Sequence, residues 1–387
     1  MKKKISVLII CAEYPPHVEG GLGIHYYELI NELKNFCEVN IICVRTDKKT
    51  PNEEQYKNLN IYRIYTPNIF PLNHIVFNLK AFLKSRKINK DITHLCSPFG
   101  VLSALFKDKD SPLVVKIHSL YSVQKGNFLY NYIFFPLGSV IDRILIKKSD
   151  LVLTTSDFMK KDILERFNVE KNKVKVVHNG INKSFFNNKF NKKLLRKELN
   201  LPEDKKIILY VGRFVPRKGA LNLVKAIPDV IKKYPNALFV FVGGGFDEGS
   251  WYEKIIIEYI GKNHLKNRTK IIPWGSRKDL IKYYCASDIL IHPANYEPFG
   301  NIILEAMACG LPVMVSRSGG PEEIVAESGI ILDKNTPNEI SQAILKTINN
   351  KKKMEDLSKL SLKRVKHFSW KHNAENTFGF YERLLKK

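Results

Sequence analysis

The stretch "KKISVLIICAEYPPHVEGGLGIHYYELINELKN", residues 3–35, indicates the architecture of the chain, because residues 205–235, "KKIILYVGRFVPRKGALNLVKAIPDVIKKYP", repeat its layout. In each stretch two lysines and an isoleucine lead into an apolar run, then a loop with proline and glycine, then an amphipathic pattern of helical period. This order is typical of the first β-loop-α unit of a doubly wound sheet. The chain therefore predicts two such domains, one opening at each stretch.

The length and the later apolar runs support two domains. A chain of 387 residues exceeds what one hydrophobic core usually organises. Short apolar runs alternate with helical stretches after each opening unit, as in parallel sheets covered by helices on both faces. These runs are VNIICVRT, NIYRIYTP, ITHLCSP, LVVKIHS, LVLTTS and VKVVHNG in the first half, and ALFVFVGGG, TKIIPWG, ILIHPA, VMVSRSG and GIILD in the second. The fold class predicted is α/β, with two Rossmann-like domains facing a cleft and joined by a polar linker at residues 182–206.

Cysteine usage and the N-terminus bear on the compartment. The six cysteines are scattered without a C-x-x-C pair, which indicates reduced thiols in a cytoplasmic protein. The start MKKKISVLIICA has basic residues before an apolar run, but that run ends near Glu13, so a first buried strand explains it better than a signal peptide. No apolar stretch approaches the roughly 18 residues that a membrane span needs. Asp108 and Asp110 lie in a lysine-interleaved loop, so no metal site is predicted.

The formal net charge of +25 suits anionic ligands, an anionic membrane surface or nucleic acid. The alternative is a lysine-rich solvated surface that reflects codon usage. No nucleic-acid recognition module is visible, so a nucleic-acid role would rest on charge alone.

The loop of the first opening unit contains Gly20, Gly21 and Gly23 before its helix. Glycine allows close backbone approach and a helix N-terminus offers unpaired N–H groups, so the loop could hold a phosphate. The alternative is a plain tight turn. An NAD site is not indicated, because Tyr26 replaces the last glycine of the G-x-G-x-x-G pattern.

The loop of the second opening unit sets Arg213 and Lys218 around the start of another helix. Arginine can bind two phosphate oxygens at once while lysine adds a point charge, so together they would neutralise a diphosphate. Each alone would more often be a surface cation.

The stretch "EPFGNIILEAMACG" places two carboxylates, Glu297 and Glu305, eight residues apart among apolar residues. It predicts a short buried helix that carries Glu305 and ends near Gly310. Glu297 precedes the helix, where the first N–H groups lack a partner within the helix.

Buried carboxylates need hydrogen-bond or charged partners. Sugar hydroxyls could satisfy both groups while the helix N-terminus holds phosphates. The alternative is that Glu297 stabilises the helix dipole and Glu305 pairs with a core lysine or arginine. His118, which ends the run LVVKIH, is a further candidate, although a histidine at a strand end is more often structural.

Together these motifs resemble the retaining family-4 glycosyltransferases of the GT-B fold. The resemblance runs along nearly the whole chain, through EGGLG, KIHS, VHNGIN, GRFVPRKG, PWG, SDILIHPANYEPFGNIILEAMACGLPV, SGGPEEIV and FSWKHNAENTFGFYERLL. It implies catalytic roles near the sugar for His118 and Glu297. It also implies a set of donor-binding residues, which are Gly20, Gly21, Arg213, Lys218, Phe299, Gly300, Asn301 and Glu305.

The resemblance further implies an acceptor-side domain at residues 1–185, a nucleotide-sugar domain at 186–369, and a closing helix, 370–387, that packs back on the first domain. The expected activity is that of a retaining hexosyltransferase, using a UDP- or GDP-linked sugar without a metal cofactor. The expected acceptor is a glycan or a lipid-linked glycan of cell-surface polysaccharide or glycolipid biosynthesis. The alternatives are a non-catalytic nucleotide-sugar-binding scaffold and a GT-B epimerase.

Two segments bear on membrane attachment. Residues 74–90 and 128–148 mix apolar and aromatic residues with lysine and arginine, which suits contact with the inner face of the cell membrane. Both are equally well explained as helices that pack on the first sheet.

Overall fold

The computed structural model describes residues 4–18, 20–45, 47, 49–123, 130–182, 190–245 and 250–386. The chain divides into two compact units. The first unit comprises Met1–Ser122, Phe134–Gly180 and Ser369–Lys387, and the second comprises Val123–Ile133 and Ile181–Phe368. The predicted boundary between residues 185 and 186 lies outside the described residues.

The first unit is built on an eight-stranded sheet of order β3-β4-β2-β1-β5-β6-β7-β8. Its strands are β1 (Ser6–Ile10), β2 (Glu38–Arg45), β3 (Glu53–Tyr56), β4 (Leu59–Tyr65), β5 (Ile92–Cys96), β6 (Leu113–Ile117), β7 (Leu151–Thr154) and β8 (Val174–Val176). Its helices are α1 (Gly21–Leu33), α2 (Leu72–Ser85), α3 (Val101–Leu105), α4 (Phe135–Lys148) and α5 (Asp157–Phe167), and one more follows at the end of the chain. Every predicted apolar run of this half is a strand.

Strand β3 was not predicted, and it pairs antiparallel with β4 while every other described pair in the sheet is parallel. Its sequence, EEQY, has no apolar alternation because it lies at the sheet edge with most of its side chains exposed. Charged side chains at an edge discourage pairing with another chain. The tight connection to β4 uses Asn58 at φ 61°, a conformation that asparagine tolerates.

The second unit contains a parallel sheet of order β11-β10-β9-β12-β13-β14. Its strands are β9 (Lys206–Val211), β10 (Ala237–Val242), β11 (Thr269–Ile272), β12 (Ile289–His292), β13 (Val313–Ser316) and β14 (Ile330–Leu332). Its helices are α6 (Lys192–Glu198), α7 (Ala220–Lys233), α8 (Ser250–Lys262), α9 (Arg277–Ala286), α10 (Asn301–Ala308), α11 (Gly320–Val325), α12 (Pro337–Ile348) and α13 (Lys351–Arg364).

The central strand β9 shows why its run is continuously apolar. Leu209 and Val211 belong to one hydrophobic cluster, with residues of α9 and α10, while Ile208 and Tyr210 belong to another, with residues of α7 and α12. Successive side chains point to opposite faces of a sheet, so a strand covered on both faces must be apolar at every position.

The last helix, α14 (Trp370–Leu385), belongs to the first unit and packs beside α1. Phe378 stacks on Phe36 with ring centroids 5.6 Å apart. A Cβ on Gly180 would lie 2.2 Å from the backbone nitrogen of Trp370, so this glycine allows the start of α14 to approach the main chain. In the described part of the chain, none of the helices has the length and apolar character that crossing a membrane requires.

Candidate functional site

Three loops at the carboxyl edge of the second sheet are tied together by main-chain hydrogen bonds. They follow β9, β12 and β13. The amide of Asn295 donates to the carbonyl of Arg217 at 2.7 Å, and that of Glu297 donates to the carbonyl of Ser318 at 3.0 Å. Because β9 lies where the strand order changes direction, between β10 and β12, this edge is the expected ligand-binding position of such a sheet.

Gly219 permits the close approach of two of these loops. It has φ +71°, and a Cβ there would lie 1.6 Å from the carbonyl oxygen of Pro293. Any other residue would push the loop after β9 away from the loop after β12, and would displace the adjacent Lys218.

Lys218 and Glu297 form an ion pair in which the ammonium contacts Oε2 of the carboxylate. His292 Nε2 lies 3.2 Å from the same oxygen. Burial alone would raise the pKa of Glu297, but Lys218, His292 and Arg217 outweigh it and hold that pKa well below its usual range. Burial lowers the pKa of Lys218 to about 8, against the raising effect of Glu297. Both groups are therefore mainly charged at neutral pH.

The interpretation of the sequence missed Arg217 and His292. Arg217 joins Arg213 in lowering the pKa of Lys218, so three cations cluster after β9. Arg217 was overlooked although it directly precedes Lys218. His292 ends the apolar run of β12 as His118 ends that of β6, so the same rule would have found it.

The first turn of α10 lies beside this ion pair. Gly300, at φ 108°, caps the helix, and a Cβ there would lie 3.5 Å from Cγ of Glu297. Phe299 is buried just before the cap, and Asn301 is the first helical residue. The structure thus brings the predicted residues Lys218, Glu297 and Gly300 together at one helix N-terminus, where the dipole favours anions.

Glu305 lies in the second turn of α10 and is 6% exposed. Its Oε2 accepts a hydrogen bond of 3.0 Å from the hydroxyl of Tyr284 on α9. This partner is a phenol, whereas the alternative interpretation expected a core lysine or arginine.

A pocket of about 200 Å³ lies beyond the carboxyl ends of β10 and β11. Trp274, Tyr283 and Ile272 contribute to its walls, which gives it the aromatic and apolar lining that a planar ring requires. A larger pocket, of about 680 Å³, is lined by Lys206, Asp288 and Pro312, which immediately precede or begin strands. It therefore lies at the amino edge of the sheet, away from the Lys218–Glu297 pair.

In the first unit, Glu13 occupies the predicted phosphate loop. Its Oε2 accepts hydrogen bonds of 3.1 Å from the amides of both Gly20 and Gly23. Gly20 caps α1 and Gly21 is its first residue. A carboxylate of the chain thus lies where the sequence predicted an external anion, and Glu13 was not singled out.

His118 follows β6 and is half-buried beside the buried bases His25, His94 and Lys116. Its ring packs edge-on against His25, with centroids 4.5 Å apart. Burial, Lys116 and His94 together hold the pKa of His118 well below its usual range, so the imidazole is neutral at pH 7. His25 Nδ1 lies 2.9 Å from Oδ1 of Asn179, which fixes the orientation of that ring.

These features define the class of protein. Two α/β units, one with an eight-stranded sheet that is parallel except for its edge strand β3 and one with a parallel six-stranded sheet, constitute the GT-B fold. The chain has a TM-score of 0.82 and 22% identity to a sucrose-phosphate synthase from Thermosynechococcus elongatus, covering 99% of this chain and 100% of the other. It has a TM-score of 0.77 and 17% identity to Anabaena HepE in complex with UDP-glucose, covering 97% of this chain and 99% of that one.

Sequence comparison identifies the family. The profile described as "Glycosyltransferase Family 4" matches residues 19–185, and "Glycosyl transferases group 1" matches residues 191–364. The chain therefore belongs to the family-4, group-1 glycosyltransferases, as the resemblance predicted. An uncharacterized glycosyltransferase of Methanocaldococcus jannaschii is 29% identical, over 98% of each chain. A D-inositol 3-phosphate glycosyltransferase of Kineococcus radiotolerans is 24% identical, over 95% of this chain and 91% of its own.

Proposed function

We propose that this protein transfers a hexose-type sugar, with retention, from a UDP- or GDP-linked donor to a hydroxyl of a glycan or glycolipid acceptor. The observation that carries the proposal is the cluster of Arg213, Arg217 and Lys218 around Glu297 at a helix N-terminus. Three cations next to the positive end of a helix dipole suit a diphosphate. The ionised carboxylate between them suits sugar hydroxyls.

Binding of the donor would change which groups of this cluster pair with each other. Arg213 and Lys218 bind the diphosphate, so that Lys218 leaves the carboxylate of Glu297 for phosphate oxygens. Glu297 then accepts hydrogen bonds from hydroxyls of the transferred sugar, beside the main chain of Phe299, Gly300 and Asn301. Further along α10, Glu305 accepts the ribose hydroxyls, next to its partner Tyr284. The pocket beside Trp274 takes the base.

In the first unit, Gly20 and Gly21 contact a donor phosphate, which replaces the carboxylate of Glu13 as the partner of the Gly20 amide, and His118 hydrogen-bonds the sugar. A neutral imidazole can donate from one nitrogen and accept with the other, which suits a hydroxyl group. The low pKa of His118 supports this role, because an imidazolium could only donate.

For the chemical step we propose attack from the face that the diphosphate leaves. The bond from the anomeric carbon to phosphate oxygen breaks, the bond to the acceptor oxygen forms on the same face, and the acceptor's proton passes to the departing phosphate. Arg213 and Lys218 stabilise the charge that develops on the diphosphate, so no metal cofactor is required. Detection of a glycosyl adduct on Glu297 by mass spectrometry would contradict this mechanism.

We further propose that the acceptor belongs to cell-surface polysaccharide or glycolipid biosynthesis and that the protein is peripheral at the inner face of the cell membrane. A basic chain of net charge +25 supports contact with an anionic surface.

The test is thermal unfolding in the presence of UDP, GDP, ADP and their sugar conjugates. Ligand at about one hundred times its Kd stabilises a protein by about 2.7 kcal/mol. We expect stabilisation by one nucleotide class, lost in Arg213→Ala and retained in Lys225→Ala, which removes an exposed lysine of α7. Labelled sugar of that class then reports transfer, measured with and without a metal chelator.

Failure of every nucleotide to stabilise the protein would overturn the donor site. Stabilisation without transfer to any acceptor preparation would instead favour a nucleotide-sugar-binding scaffold.

A further inference from the structure

Helix α2 presents apolar residues on two opposite faces. Phe77 and Ala81 are buried against the first unit, as expected for a helix that covers a sheet. On the opposite face Leu72, Ile75, Leu79 and Leu83 are 44%, 61%, 50% and 54% exposed. Their spacing of three or four residues places them in one stripe along the helix. An ordinary surface helix would carry polar residues there.

The exposed stripe continues beyond α2. Ile69 and Phe70, just before the helix, are exposed, and the ring of Phe70 packs on Phe134 at 4.6 Å between centroids. This contact brings in the start of α4, where Leu137 and Val140 are exposed. We call the whole surface the α2 face, and its members are Ile69, Phe70, Leu72, Ile75, Leu79, Leu83, Leu137 and Val140. Clusters of exposed large apolar side chains mark interaction sites.

The charge around the α2 face indicates what kind of partner it binds. Residues 66–90 contain five basic residues and no acidic one. Lys84 and Lys90 have acidic partners, Glu53 and Asp108, from neighbouring segments. With the negative charges of Glu53 and Asp108 included, the segment has a net charge of +3. A second copy of the chain meeting this face symmetrically would place two such basic segments together, which is unfavourable.

We propose that the α2 face binds an anionic lipid surface, with its leucine and isoleucine side chains among the lipid chains and its basic residues at the lipid phosphates. An apolar stripe bordered by lysine and arginine is the pattern of a helix that lies in the membrane interface. The inference rests on the proposed function in one respect, because it supplies the surface through which a lipid-linked acceptor is reached.

The experiment is flotation of the whole protein with vesicles of phosphatidylcholine alone or with about 30% phosphatidylglycerol, at low and high salt. We expect binding to the anionic vesicles, weakened by salt. Ile75→Gln/Leu79→Gln should weaken it at least tenfold, and Lys80→Gln/Lys87→Gln should reduce its dependence on anionic lipid. The matched control is Leu360→Gln/Leu362→Gln, which changes two leucines of α13 that are each 43% exposed and should bind as the wild type does.

Three results would overturn the inference. One is absence of wild-type binding to anionic vesicles, and another is unchanged binding of Ile75→Gln/Leu79→Gln. The third is a dimer in light scattering that becomes a monomer in that variant, which would assign the face to self-association. Nucleotide-induced stabilisation is measured on the same samples. If it persists while vesicle binding fails, only this inference is lost, and the reverse outcome overturns the donor site alone.

Discussion

The two opening loops of the chain, after β1 and after β9, share one architecture and have opposite electrostatics. Each follows a central strand and leads into a helix, α1 or α7. In the first loop the carboxylate of Glu13 accepts hydrogen bonds from the amides of Gly20 and Gly23. The second loop instead carries the cations Arg213, Arg217 and Lys218, and the carboxylate that meets them, Glu297, comes from the loop after β12.

The difference lies in how far along the chain the balancing carboxylate comes from. Glu13 is seven residues from Gly20, so a local turn fixes it at the helix N-terminus. Glu297 is 79 residues from Lys218 and belongs to a separate loop. The first loop therefore supplies the hydrogen-bond acceptor for its own amides. The cations of the second loop instead meet a carboxylate from another loop, and a bound anion can replace that carboxylate as the partner of Lys218.

The largest effect should come from breaking the second arrangement. Glu297→Gln leaves the ammonium of Lys218 buried without an ionised partner, and loss of one member of a buried pair costs about 3–5 kcal/mol. We expect a loss of that size in the free energy of unfolding, measured by urea denaturation. The double variant Lys218→Met/Glu297→Gln should lose less than the sum of the single variants, because it removes both charges.

The control for this measurement is Glu355→Gln. It breaks an exposed pair with Lys351, in which the charged atoms are 4.0 Å apart, and such pairs contribute about 0–1 kcal/mol. Additive losses in the double variant would show that the two side chains are not coupled.

The activity and the stability of the protein should depend on pH through Lys218 of the second loop. Because the pKa of Lys218 is lowered to about 8, kcat/KM should fall as pH rises through that value, up to about tenfold per pH unit. The contribution of Lys218 to stability has the opposite sign. Between about 8 and its ordinary pKa of 10.5, the unfolded state binds more protons than the folded state, so stability from this group rises with pH.

Lys218→Arg is the matched variant, since arginine keeps its charge across this range. In this variant kcat/KM should no longer fall as the pH rises through about 8. A wild-type profile that stays flat above pH 9, or an unchanged decline in Lys218→Arg, would exclude Lys218 as the titrating group.

The fold was accessible from the sequence because the period and continuity of apolar residues determine which segments become buried strands. The eleven apolar runs that follow the two opening units are all strands, and the buried helix around Glu305 spans Asn301–Ala308 as expected. The edge strand β3 was missed for the same physical reason. With one strand neighbour and a largely exposed surface, EEQY needs no apolar pattern.

The candidate site was only partly accessible. Glycines and cations at strand ends indicated where anions could bind, which led to Arg213, Lys218 and Gly20. Partners across loops leave no periodic signal, so the pairing of Lys218 with Glu297 and of Tyr284 with Glu305 could not be read from spacing. Glu13 was overlooked because a carboxylate within a glycine-containing loop was not considered as the occupant of that loop. The roles assigned to the site residues stay predictions.

The smallest effect should come from the first loop. Glu13→Gln keeps an oxygen that can accept hydrogen bonds from Gly20 and Gly23 but removes the charge at the start of α1, which should cost about 1 kcal/mol in unfolding free energy. Nucleotide binding should tighten a few-fold by calorimetry, because a like charge leaves the loop that Gly20 and Gly21 offer to phosphate. Glu32→Gln, in the last turn of α1, should leave affinity unchanged. Unchanged affinity in Glu13→Gln would mean that the first loop has only a structural role. The two opening loops would then differ in function as well as in charge.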